Sequence, residues 1–245
     1  METLGYRESL VRLTIDRMVA AGTLESERLG RNAYYSLSAL GKARGEFGKG
    51  ELYPARAPRF DGSWLLVRYS IPEERRAIRD ELREYLVFAG FAQFSPSVWI
   101  APGTRGNREE KLRAIEAEFG AIGAAPFCSI HKARFEDDPL ALARELWDIE
   151  ASAKGWRNFI DAWTRRLAEA EKGVPEERAF AVAFELESDW LSRAAVDPRL
   201  PIELLPSPWP GVEARALVDS LWALLDGGAR NHVRFVIERS GGARP

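Results

Sequence analysis

Sulfur chemistry is almost absent: 245 residues hold one cysteine, Cys128. A lone thiol forms no intrachain disulfide and no cysteine-based zinc site, and it suits a reducing compartment. Histidine is nearly as scarce, with only His131 and His232. Cys128 and His131 stand three apart on an expected strand and so point to opposite faces. That spacing argues against a shared metal or a Cys–His nucleophile. No run is long and apolar enough to cross a membrane, and the N-terminus has no apolar stretch of signal-peptide length. The expected location is cytoplasmic. A Walker-type glycine loop, a GxSxG elbow and an HExxH pair are also missing. The expectation is a protein that is not an enzyme and needs no cofactor. Paired acids Glu109/Glu110 and Asp137/Asp138 fall at a helix start and in a loop, where solvation and the helix dipole account for them. The formal net charge of −2 provides no global cationic field, so any nucleic-acid contact must be a local patch.

What is present begins at residue 7. Residues 7–21 read as a helix stopped by Gly22, with Val11, Ile15 and Met18 at i, i+4 and i+7 as its inward face. Ser9, Leu13, Asp16 and Arg17, flanked by Arg12, occupy the opposite face. Two strand-like runs follow, 23–28 and 32–36, joined across Leu29-Gly30-Arg31. Helix, glycine stop and arginine-tipped hairpin make the pattern of a winged helix, which places a helix in the major groove and a cation on the backbone or in the minor groove. The candidate DNA-binding residues are Arg7, Ser9, Arg12, Arg17, Arg28 and Arg31. Tyr34 and Tyr35 alternate along a strand, so one is expected in a core and one outside. A short closing helix is expected over 37–48, with Leu40 inward.

The rest divides by composition. Residues 51–60 read as a linker and 61–136 as a unit of βαββαβ order, the ferredoxin-like layout. Its parts are a strand over 64–71, a helix over 73–88 with Pro72 at its first position and Gly90 as its stop, and a hairpin of 91–94 with 98–101. A helix over 108–119 ended by Gly120 and a strand over 126–135 complete it. Residues 137–245 read as mostly helical: 140–153, 156–171, 175–191 and 212–225. A proline-dense string, 197–211, precedes the last helix and reads as a rigid cap plugged by Trp209. The end, 232–237, reads as a short strand or frayed tail with His232 exposed, and the two Gly-Gly-Ala-Arg strings, 227–230 and 241–244, as loop and tail. The fold class is therefore α+β: a partial winged helix over 1–50, a central ferredoxin-like domain and a helical C-terminal domain. Trp64, Trp99, Trp156, Trp190 and Trp209 are first of all core candidates. Trp64, Arg68 and Trp99 are the candidates for a ligand pocket, which is expected in a crevice between the central and C-terminal parts.

Three segments carry a family resemblance. They are Gly5-Tyr6-Arg7-Glu8-Ser9-Leu10-Val11-Arg12 with Gly30-Arg31; residues 64–71 with Gly90-Phe91 and Trp99-Ile100-Ala101-Pro102; and Asp197-Pro198-Arg199-Leu200-Pro201 with Trp209-Pro210-Gly211. In that order they resemble the PaaX family, transcriptional repressors of phenylacetic acid degradation operons. The resemblance implies operator DNA as partner and release by an aryl-CoA thioester, typically phenylacetyl-CoA. It also implies a homodimer reading two half-sites. Family members carry further residues ahead of this point, which supply the first helix and most of the second. The winged helix expected here is therefore partial. Two alternatives remain: a sensor or dimerisation module that does not bind DNA, and a metal-dependent nuclease on the ferredoxin-like unit. The nuclease would need an aspartate at the end of the first central strand, where Ser70 stands; Asp61 precedes that strand.

Overall fold

The computed structural model describes residues 4–30, 32–39, 41–42, 59–105 and 108–239. Arg31, Leu40, most of the expected closing helix, the linker up to Pro58 and the 241–244 string lie outside the described residues. The chain groups into two compact units, one of residues 1–55, 169–187 and 221–245 and the other of 56–168 and 188–220.

In the first unit, helix α1 (Glu8–Ala20) leads into strands β1 (Leu24–Leu29) and β2 (Asn32–Leu37), which pair antiparallel from Leu24↔Leu37 to Leu29↔Asn32. The two-residue connection has Gly30 at φ +64°, a conformation that tight hairpins require and glycine adopts without strain. Tyr34 and Tyr35 are both exposed, against the expectation of one inside: among the described residues neither face of this two-stranded ribbon is buried by another layer.

The second unit holds a four-stranded antiparallel sheet of β3 (Phe60–Tyr69), β4 (Ala92–Ser95), β5 (Val98–Thr104) and β6 (Cys128–Ala133), in the order β4-β5-β3-β6. With α2 (Arg76–Phe88) and α3 (Arg108–Ile122) between the strands, this is the ferredoxin-like arrangement. Period-2 alternation sends Leu65, Val67 and Tyr69 of β3 to the helix side, where they meet Leu82 and Leu86 of α2 and Ile115 and Phe119 of α3. Both helices show the i, i+4 spacing that a one-sided core demands.

Several boundaries differ from the sequence reading. Pro72 precedes a 3-10 turn, Glu73–Arg75, and α2 begins only at Arg76. Gly120 lies inside α3, and Gly123, at φ +78°, ends the turn that follows it. A 3-10 turn, Ala125–Phe127, takes the first residues of the expected last strand.

In the C-terminal segment, α4 (Pro139–Leu146) ends at Trp147, whose backbone is extended, and α5 (Ile149–Ala170) follows at once, its first turn capped by Asp148 Oδ1 accepting from Ala151 N at 3.0 Å. The expected break near residue 154 is thus moved forward. Trp147 leaves the helix line and stacks on Trp64, with centroids 6.1 Å apart. After α6 (Glu176–Ala194), the largest correction concerns α7 (Pro210–Arg239), one helix of 30 residues that includes Gly227, Gly228 and the whole expected strand or tail. Gly228 allows the close approach: a Cβ there would sit 3.0 Å from that of Ala179 on α6. His232 is consequently buried against the ring of Phe180, centroids 5.4 Å apart, rather than exposed.

Candidate functional site

The end of α1 is tied to the hairpin by one buried side chain. Gly22, at φ +69°, lets the helix stop, with Gly22 N donating to Val19 O and Thr23 N to Met18 O. Ser38, just past β2, donates its hydroxyl to Gly22 O at 2.6 Å and accepts from Gly41 N at 2.9 Å. The Ser38 backbone N also donates to Thr23 O. Ser38 therefore clamps the hairpin base to the helix terminus and caps the next turn. Sequence reasoning passed over it, although serine ahead of an expected helix is a capping signal. Gly41 is required here, since any Cβ would collide with Thr23 O.

On α1 the exposed residues Ser9, Arg12, Leu13, Asp16, Arg17 and Ala20 recur at helical spacing and form one continuous stripe. Val11, Ile15 and Met18 lie on the other side and are half-buried; no residue of α1 is buried outright. The edge of Tyr6, just before the helix, meets the ring of Phe184 at 6.2 Å. Arg7 is the exposed N-cap position, without a side-chain cap. Arg12 is held by Glu8 at 2.5 Å in a fully surface ion pair. Such pairs contribute little to stability and rearrange readily. Arg28 is exposed on β1, one face with Ser26 and Tyr35, and the sixth candidate, Arg31, is outside the described residues. Ser9, Arg12 and Arg17 thus share α1, Arg7 stands at its N-cap, and Arg28 is on the ribbon beside it.

Comparison with known proteins gives this arrangement a context. Residues 1–41 match the family model described as PaaX-like protein, 57–138 that of the PaaX protein central Cas2-like domain, and 147–235 that of the PaaX-like protein C-terminal domain. The chain belongs to the PaaX family. It is 29% identical over 233 residues to the transcriptional repressor PaaX of Escherichia coli (strain K12), across 91% of this chain and 70% of that protein. Among solved structures, the uncharacterized protein Rv0674 from Mycobacterium tuberculosis is similar with a TM-score of 0.53 and 26% identity, over 94% of this chain and 86% of that one.

The nuclease alternative concerns the central domain, the part matched as Cas2-like. Here β3 ends at Tyr69 and exposed Ser70 follows, with no acid at that end. Asp61, at the opposite end, accepts from Ser63 N at 2.9 Å and faces Lys132 Nζ at 3.4 Å. Burial raises its pKa, but the contacts with Ser63 and Lys132 together outweigh this and lower it. Among the described residues no group of three His, Cys, Asp or Glu is placed to hold a metal ion. Cys128 is half-buried, and desolvation pushes its thiol up to about 11.

The candidate pocket residues of this PaaX-family chain lie apart from a cavity among the described residues of the second unit. Trp64 is buried between Phe60 and Trp147, Trp99 is buried in the helix-side core, and Arg68 is exposed on β3. None of the three lines this cavity, which has a volume of about 350 Å³. That cavity runs between the end of α2, the start of α5 and the residues that follow α6, and two of its walls are Trp147 and Trp156. The proline-dense string acts at its margin. Asp197, 8% exposed, accepts from the Trp156 indole N–H, from Ser152 Oγ at 2.9 Å and from Arg199 N at 2.6 Å. Arg199, at φ +48°, donates in turn to Phe88 O and to Ala194 O, closing the ends of α2 and α6 together.

Proposed function

We propose that this chain is a transcriptional repressor that binds operator DNA through α1 and the β1–β2 hairpin and is released by an aryl-CoA thioester such as phenylacetyl-CoA. The observation that carries the reading is the exposed stripe of α1 beside an antiparallel hairpin, within the segment that matches the PaaX-like model. Similarity to a named transcriptional repressor supports a regulator rather than an enzyme. Phosphate contacts from Arg7, Arg17, Arg28 and Arg31 would position the protein, and Ser9 and Arg12 would face base edges. A homodimer follows from the symmetry of palindromic half-sites. Release requires that the thioester bind the DNA-free state more tightly than the DNA-bound state. No described helix is long and apolar enough to cross a membrane, which fits DNA as the partner.

The test is fluorescence anisotropy on a labelled duplex from upstream of the chain's own operon, with and without phenylacetyl-CoA. Salt-sensitive binding that the thioester reverses is the expected result. Absence of DNA binding by this chain and by a version extended at its N-terminus would overturn the repressor reading.

A further inference from the structure

The cavity of the second unit is kept open by small side chains where larger ones fit. Ala151, Ser152 and Gly155 face it from successive turns of α5. Gly155 is inside a helix, where glycine is less favourable than alanine. Packing does not demand it: a Cβ there would meet nothing nearer than Arg193 Nη1 at 4.0 Å. Local rules are broken without a packing reason most often at functional or strained sites.

The polar groups around the space are unequal. Both carboxylates are engaged within the protein, Asp197 by three donors and Asp148 as the cap of α5. The hydroxyl of Ser152 and the indole N–H of Trp156 are spent on Asp197. Arg193 is ion-paired with Asp189 at 3.4 Å, and its guanidinium, with five N–H donors in all, stands next to the open face of Gly155. The space therefore offers aromatic faces and a cation. A cavity of roughly 150 Å³ accommodates benzene, so about 350 Å³ takes a ring with a short acyl chain but not a nucleotide.

We infer that this cavity binds the aromatic acyl group of the effector, with its carbonyl or carboxylate oxygen facing Arg193. This rests on the effector-controlled reading above and adds the place and the recognising residue. The ring lies between Trp147, Trp156 and Phe91, and any CoA portion extends outside. The acyl group can arrive as a thioester or as a free acid, and both present the same oxygen.

The experiment titrates the full chain, without DNA, with phenylacetyl-CoA and separately with phenylacetate, read by calorimetry. Ala151→Leu and Gly155→Leu place bulk in the cavity, and Ala151 is exposed on its helix, so its substitution disturbs the core least. At least tenfold weaker binding in both, with thermal unfolding preserved, is expected. Arg193→Gln should weaken binding and Arg193→Lys restore part of it. Saturation by the thioester alone assigns the thioester and saturation by phenylacetate assigns the acid; either supports the site when both filled variants weaken it. Wild-type binding unchanged in both filled variants would overturn the cavity while leaving the repressor reading intact. No binding of either compound overturns the aromatic acyl assignment, whereas operator binding of the same sample by anisotropy is judged separately.

Discussion

The indole N–H of Trp156 donates to the carboxylate of Asp197, joining α5 to the start of the proline-dense string. Two further donors, Ser152 Oγ and Arg199 N, converge on the same buried group. Asp197→Ala would leave all three without an acceptor, and stranding buried donors costs about 2–4 kcal/mol in total. Asp197→Asn keeps one acceptor oxygen and should lose about 1–2 kcal/mol. Urea unfolding of both variants checks the order; equal stability would show that water satisfies the donors.

The two adjacent glycines of α7 should respond in opposite directions. Gly227 has open space around its Cβ position, so Gly227→Ala is expected to stabilise the protein by about 0.5–1 kcal/mol. Gly228→Ala meets Ala179 at 3.0 Å and should destabilise by about 1 kcal/mol or more. Thermal unfolding compares them directly, and similar shifts would contradict the close approach of α6 and α7.

Cys128 should be slow to react. Its thiol stands near 11 rather than the ordinary 9.0, because burial disfavours the thiolate. At pH 8 the smaller thiolate fraction should make iodoacetamide alkylate the folded chain roughly tenfold more slowly than the unfolded one, because the more basic thiolate offsets part of the loss. A group raised in the folded state contributes stability that is complete below pH 9 and lost as pH rises through 11. Stability should therefore fall across that window, and Cys128→Ser should flatten the fall.

On DNA, Arg17→Ala and Arg28→Ala should each weaken operator binding and lower the salt slope by about one. Glu8→Gln should act the other way, because it frees Arg12 from its ion pair and removes a negative charge. Anisotropy across a salt series distinguishes them. An unchanged slope in both arginine variants would remove these residues from the interface.

Much of this architecture is written locally. The βαββαβ order, the Gly90 stop at φ +83° and the inward residues of β3 follow from alternation and glycine chemistry that any window of ten residues contains. The helix–glycine–hairpin unit at the start is equally local, since Gly22 and Gly30 adopt the positive φ that their neighbours make necessary. Trp64 and Trp99 are legible as core, but the cavity is not, because its walls come from Gly90, Trp147 and Asp197, far apart along the chain.

Sequence by itself determined the α+β class, the order of elements and the polar stripe of α1, because helix and strand periods, stop signals and caps are properties of neighbouring residues. Tertiary structure alone decided that α7 runs through Gly227-Gly228, that His232 is buried on Phe180, and that α4 ends at Trp147. In each case a contact with a distant segment outweighs a local preference. Alanine at 179 makes room for two helices to close, and Trp64 offers a stacking face that draws Trp147 out of the helix line.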